Sequence, residues 1–195
     1  MSTLPAEERF KRNFITLVDI CCEMVEEGNE HNVSSITPTM FNIVKIFLSR
    51  FEASFLIEKF IRKTHDYWNK IYDKDLDYFK ELGLNLFNIA GDKGLENMVD
   101  NDDKSLTSGL SMDKISSFKK LLSAKYTDSD GNEIEIFDDE RIEDTWKIMH
   151  GFVKQSIMYI HNQRAMVDGE YTKEYFSNIN VKENAEKWKV KSLQS

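Results

Sequence analysis

Apolar residues recur along this chain mainly at the three- and four-residue steps of an amphipathic helix. Phe10, Phe14, Leu17, Val18, Cys21, Met24 and Val25 predict a first helix. Pro5 suits its first turn, where a missing N–H leaves nothing unsatisfied. Glu7 and Glu8 meet the positive end of the helix dipole, and Gly28 reads as the stop signal. The polar stretch Asn29 to Ile36 predicts a loop. Thr37 as N-cap and Pro38 at the first helical position then restart a helix. Its apolar stripe is Met40, Phe41, Val44, Phe47, Leu48 and Phe51, and it continues through Phe55, Leu56, Phe60, Ile61, Trp68 and Ile71, with a kink expected near Arg50 to Ser54. Asp73 to Asp77 interrupts the pattern. Leu76, Phe79, Leu82, Leu86 and Ile89 begin another short helix.

From Gly91 to Ser111 the periodicity disappears. Three glycines, four aspartates and few large apolar residues predict a loop of about twenty residues, a length that in compact domains is usually functional or disordered. Met112 to Ser123 reads as a short helix. The run Tyr126 to Phe137 switches to a period of two around Asp130-Gly131, which predicts a small β-hairpin. Asp138 to Glu140 cap a long helix through Ile142, Trp146, Met149, Phe152, Val153, Ile157 and Ile160, ending before Gly169. The expected fold is all-α: a single helical bundle of five or six helices with a small β-hairpin insertion near residues 125–137. One helical domain spans residues 1–168. Residues 169–195 form a C-terminal tail that is either one docked helix or a flexible arm.

Charge narrows the function classes. Over 195 residues, 26 Lys and Arg against 34 Asp and Glu give a net charge of −8, and only short basic patches such as Lys119-Lys120 stand out. Such a chain repels phosphate backbones on average, so direct nucleic-acid binding is not expected. No apolar run approaches the roughly 18 residues of a membrane span, and Met1 to Arg12 lack an apolar segment after a basic start, so neither membrane insertion nor a signal peptide is expected. The adjacent Cys21 and Cys22 read as small buried hydrophobes in a reducing compartment. An intracellular location follows.

The search for chemistry returns little. An EF-hand around Asp128 to Glu133 would place Tyr126 and Phe137 at positions that need oxygen ligands, so calcium is rejected. His150 and His161 lie on one helix face but roughly 16 Å apart by helix rise, too far to share a metal. His31 and His65 have no partner at metal-ligand spacing. The acidic clusters Asp73, Asp75, Asp77 and Asp138, Asp139, Glu140, Glu143, Asp144 read as solvated helix junctions and caps. Gly91 to Gly94 is too short to cradle a phosphate. No catalytic residue, cofactor or metal is expected, and the chain is not read as an enzyme. Aromatic residues, at 12%, are abundant. Tyr67, Trp68, Tyr72, Tyr78 and Phe79 fall on more than one helical face, and Tyr175, Phe176 and Trp188 dot the tail. These eight are the candidate partner contacts, beyond a core that could absorb the aromatics alone.

Two segments carry a resemblance. Phe55 to Phe79, containing Lys74-Asp75-Leu76-Asp77-Tyr78-Phe79, and the helix Glu140 to Tyr159, with Trp146-Lys-Ile-Met and Ser156-Ile-Met-Tyr, resemble a family of small helical proteins of unassigned function in nucleocytoplasmic large DNA (giant) viruses. The helix Phe10 to Glu27 is similar to that family's N-terminal one. The resemblance implies a viral origin, with which codon-linked composition agrees: Asn, Ile and Lys are abundant and Lys far outnumbers Arg, as in AT-rich genomes. The expected function is that of a non-enzymatic viral protein acting by protein–protein contact, in the virion or a viral assembly. The alternatives are a helical adaptor or scaffold in a viral transcription or translation complex, and an enzyme whose site is assembled from dispersed residues. The expected partner is a viral structural or gene-expression protein, met in the host cytoplasm, the virus factory or the virion.

Overall fold

Among the described residues helices cover the apolar stripes from Phe10 to Val25, Phe41 to Ile61 and Ile142 to Ile160, and the chain is an all-α protein with a small antiparallel hairpin. The computed structural model describes residues 4–78, 117, 120–166, 176 and 178–193. Its elements are α1 (Ala6–Glu30), α2 (Thr39–Arg50), α3 (Ala53–Thr64), a 3-10 turn (His65–Tyr67), α4 (Trp68–Tyr72), β1 (Lys125–Thr127), β2 (Glu133–Glu135), α5 (Asp139–Met166), α6 (Val181–Lys187) and a closing 3-10 turn (Lys191–Leu193). The expected helix from Leu76 to Ile89 is described only as far as Tyr78, where Asp75 Oδ1 accepts the Tyr78 N–H. The expected loop 91–111, most of the expected helix 112–123, Phe79 and Tyr175 lie outside the described residues.

The chain divides into two compact units. The first comprises Met1–Thr16, Leu48–Lys74 and Thr145–Ser195; the second comprises Leu17–Phe47 and Asp75–Asp144. Phenylalanines fill the first. Phe10 and Phe152 have ring centroids 4.5 Å apart, and Phe60 lies 5.2 and 5.3 Å from them. Ile57, Ile61, Ile71, Val153, Ile157 and Ile160 are buried in the same unit, as are the tail residues Phe176, Ile179, Val181, Ala185, Trp188 and Val190. Residues 178–193 thus carry a helix with a buried apolar side. The expected kink is a full break at Phe51–Glu52. There Lys11 Nζ donates to the Ser49 and Phe51 carbonyls at 3.2 and 2.7 Å, placing a cation at the negative end of the α2 dipole.

In the second unit the stop of α1 is not the glycine. The helix runs past Gly28 to Glu30, and Asn32, at φ 56°, takes the left-handed position that ends it. The Val33 N–H bonds the Gly28 carbonyl at 2.8 Å and the Asn32 N–H bonds Asn29 at 3.2 Å, the paired bonds of a Schellman close. Gly28 is needed for space instead. A Cβ there would stand 2.6 Å from Leu121 Cδ1 and 2.9 Å from Ser34 Cβ. Alanine normally favours a helix over glycine, but Leu121 is buried and Ser34 Cβ, fixed to its backbone, cannot swing aside. Gly28→Ala is therefore expected to destabilise by about 1–3 kcal/mol, read as a lower urea midpoint; a gain in stability would mean that Leu121 is not seated against α1.

The hairpin pairs Lys125 with Glu135, Tyr126 with Ile134 and Thr127 with Glu133. The period of two turns Tyr126 and Ile134 to the half-buried face, while Lys125 bridges Glu133 and Glu135 at 3.1 and 3.0 Å on the exposed one. Asp128 shapes the loop by accepting the N–H groups of Asp130 and Asn132 and the Asn132 carboxamide. Those bonds, the Asn132 side chain first, hold its carboxyl below the ordinary aspartate range. Gly131 supplies the positive φ, 87°, that the turn requires. Asp138 caps α5 through the Arg141 N–H at 2.9 Å, and Arg141 reaches back to the Ile136 carbonyl and to Glu27, each at 2.6 Å.

α6 closes in the same way as α1. Lys189 sits at φ 52°, with Val190 N–H on the Ala185 carbonyl at 2.9 Å and Lys189 N–H on Glu186 at 3.1 Å. A β-carbon in that conformation costs roughly 1–2 kcal/mol, which glycine avoids. Lys189→Gly is expected to raise the thermal midpoint, by an amount corresponding to less than about 1 kcal/mol. A lower midpoint would show that the lysine stem does more than tolerate the turn.

Candidate functional site

The first unit contains a cleft of about 350 Å³ lined by His65, Trp68, Asn69, Asn178, Ile179, Asn180, Glu183, Asn184 and Lys187. Local sequence explains each wall. In α6 and its cap, Asn180, Glu183, Asn184 and Lys187 fall at i, i+3, i+4 and i+7, so they share one helical face. The opposite side of α6 buries Val181 and Ala185. Asn180 caps the helix reciprocally: its Oδ1 accepts the Glu183 N–H at 3.2 Å and its Nδ2 donates to Glu183 Oε2 at 3.0 Å. The facing wall comes from the junction of α3 and α4, where a 3-10 turn tightens the chain and presents His65, Trp68 and Asn69.

Chemically the cleft is a set of carboxamides beside one cation and one anion. Lys187 Nζ donates to Asn69 Oδ1 at 2.6 Å and lies 4.7 Å from the centre of the Tyr72 ring. Asn184, in the cleft lining, donates its Nδ2 to the Asn180 carbonyl at 2.8 Å. Trp68 lies at the floor, 3% exposed, with its indole N–H on Thr64 Oγ1. His65 Nδ1 lies 3.3 Å from the Ile61 carbonyl, to which it can only donate, and its Nε2 lies 3.1 Å from Asp66 Oδ1. Among the described residues Glu183 and Lys187 make no ion pair with each other, although their i, i+4 spacing would permit one; each is held by an asparagine instead.

The sequence-predicted contacts gather partly around this cleft. Trp68 lines it, and Tyr72, at 40% exposed, stands beside it through Lys187. Trp188 is 2% exposed and packs edge-on against Tyr72 and His150, at 5.2 and 5.3 Å between ring centroids. His150 Nε2 bonds the Ile71 carbonyl at 2.9 Å. Phe176 is buried in the unit, and Tyr67 is half-buried on the 3-10 turn. Tyr78 is half-buried and belongs to the second unit. The asparagines, Glu183 and Lys187 were not among the expected contacts. Their signal was the polar stripe at helical spacing, which by itself looks like any solvated face.

The other sequence-level candidates divide between the units. Cys21 and Cys22 stand side by side in α1 as free thiols. Burial of the sulfur, with the neighbouring Cys22 adding to it, pushes Cys21 up to about 12, so it remains a protonated thiol at neutral pH. His31 stacks on Tyr126 at 3.6 Å. In the first unit Tyr159 donates to Glu58 at 2.7 Å, and burial followed by that carboxylate raises its hydroxyl pKa. Among the described residues no group of three or more His, Cys, Asp or Glu side chains is placed to hold a metal ion. No described helix is long and apolar enough to cross a membrane. Comparison with known protein families, with characterised proteins and with solved structures gives no match for this chain.

Proposed function

We propose that this chain is a non-enzymatic protein of a large DNA virus that acts by protein–protein contact, and that the cleft between α6 and the α3–α4 junction receives a segment of the partner. The observation that supports the reading is the convergence of Asn69, Asn178, Asn180 and Asn184 on one cleft. A carboxamide offers an N–H donor and a carbonyl acceptor, the same pair that a peptide group offers, so it can satisfy a partner's main chain without regard to sequence. Exposed Tyr72 adds an aromatic rim of the kind that anchors interfaces.

The test is affinity capture of the tagged full chain from infected cells, run beside the double variant Asn178→Ala/Asn184→Ala. Proteins retained by the parent and depleted about tenfold with the variant are the expected result. Capsid or core proteins among them would favour the virion setting, and polymerase or initiation factors the adaptor setting. Identical capture by both proteins would remove the cleft from the reading. A nucleotide or metal that remains bound in native mass spectrometry would instead favour the enzyme alternative.

A further inference from the structure

Resting on that reading, we propose that the cleft selects an extended peptide segment carrying one basic and one acidic side chain two residues apart. The two charges in the cleft set the spacing. Glu183 and Lys187 are four residues apart on the same face of α6, roughly 6 Å along the helix axis at 1.5 Å per residue. In an extended chain, side chains at i and i+2 point to the same side and stand roughly 6.6 Å apart. A strand laid along α6 therefore brings its i and i+2 side chains level with Glu183 and Lys187. Its intervening main-chain groups then lie level with the carboxamide-bearing Asn184, the cleft residue between the two charges on that face.

The charges are fixed but not used up. Asn180 Nδ2 takes one site on the Glu183 carboxylate, and Asn69 Oδ1 takes one of the three Lys187 N–H groups. The asparagines thus hold Glu183 and Lys187 apart from each other, and each keeps capacity for an opposite charge from outside. A cleft for a single anion would not place Glu183 in its wall. A cleft for a sugar or a base needs an open aromatic face on which a ring can stack; Trp68 at 3% exposed provides none, and the exposed Tyr72 ring carries Lys187 Nζ at 4.7 Å from its centre. An extended main chain with a charge of each sign meets Glu183, Lys187 and the carboxamide beside them.

The experiment is selection of phage-displayed random heptapeptides on the immobilised full chain, repeated on the double swap Glu183→Lys/Lys187→Glu and on Asn178→Ala/Asn184→Ala. The expected result is enrichment of peptides with opposite charges at i and i+2 in one order, and enrichment of the reverse order on the swapped protein. Synthetic peptides from the first set should weaken roughly fivefold with Glu183→Gln or Lys187→Gln alone, the scale of an exposed ion pair. Peptides that depend on the asparagines but show no charge order would overturn the charge-spacing rule and leave the cleft as a peptide site. Peptides that bind all variants alike, or no enrichment at all, would overturn both. The altered side chains are at the surface of the cleft, and unchanged far-ultraviolet circular dichroism and thermal midpoints confirm that each variant is folded before selection.

Discussion

Phe152→Ala is expected to lower the unfolding free energy of the first unit by about 4 kcal/mol, within the range of about 3–5 kcal/mol for removal of a buried phenylalanine. Phe152 meets Phe10, Phe14 and Phe60, with centroid separations from 4.5 to 5.9 Å, so one truncation breaks three ring contacts as well as removing buried area. Collapse into the gap is limited because the rings that border it come from α1 and α3, whose backbones, like that of α5, are held by their own hydrogen bonds. For a chain of this length, each 1 kcal/mol shifts the melting temperature by roughly 2–4 °C. The midpoint should therefore fall by about 10 °C, measured by calorimetry. Phe152→Leu, which keeps most of the volume, should fall much less. A loss under about 1 kcal/mol for the alanine variant would show that the cluster is not the centre of this unit.

Trp188→Ala is the second large effect, at about 3–5 kcal/mol. Its ring is 2% exposed and packs against Tyr72 and His150, joining the C-terminal segment to α4 and α5. Among the described residues its indole N–H is buried without an acceptor, so that group contributes no hydrogen bond to offset its desolvation. Trp188→Phe should accordingly cost clearly less than Trp188→Ala, since it keeps an aromatic ring and removes the orphaned donor. Ending the chain before Tyr171 removes Phe176, Ile179, Val181, Ala185 and Val190 together with Trp188, and should destabilise more than any single substitution here. A binding arm would give the opposite pattern: truncation would abolish partner capture and leave the melting temperature nearly unchanged. Equilibrium unfolding of these three proteins distinguishes the two.

Such predictions also locate what sequence reading can and cannot reach. The helical stripes from Phe10 to Val25 and from Ile142 to Ile160 were legible because burial of one face imposes a local period, and that period survives in the order of residues. The hairpin was legible for the same reason, with Asp130-Gly131 supplying turn chemistry. The stop of α1 was misplaced. Glycine is the common signal, but Asn32 takes the positive φ, and Gly28 serves a contact with Leu121 more than ninety residues away in the sequence. No local rule reports such a contact.

The division among the aromatics was equally out of reach. Trp68, Phe176 and Trp188 are buried and Tyr72 is exposed, though all four carry the same preference for an apolar surrounding. The cleft shows the limit most clearly. Asn180, Glu183, Asn184 and Lys187 form a stripe that can be read from VKENAEK and its cap, but a polar stripe facing water and one facing another wall are identical in sequence. The all-α class and the hairpin were set by local periodicity and composition. The burial of the apolar residues between Phe176 and Val190, the packing reason for Gly28 and the meeting of α6 with His65, Trp68 and Asn69 arose from long-range packing, because a cleft needs two walls and the chain order specifies only one at a time.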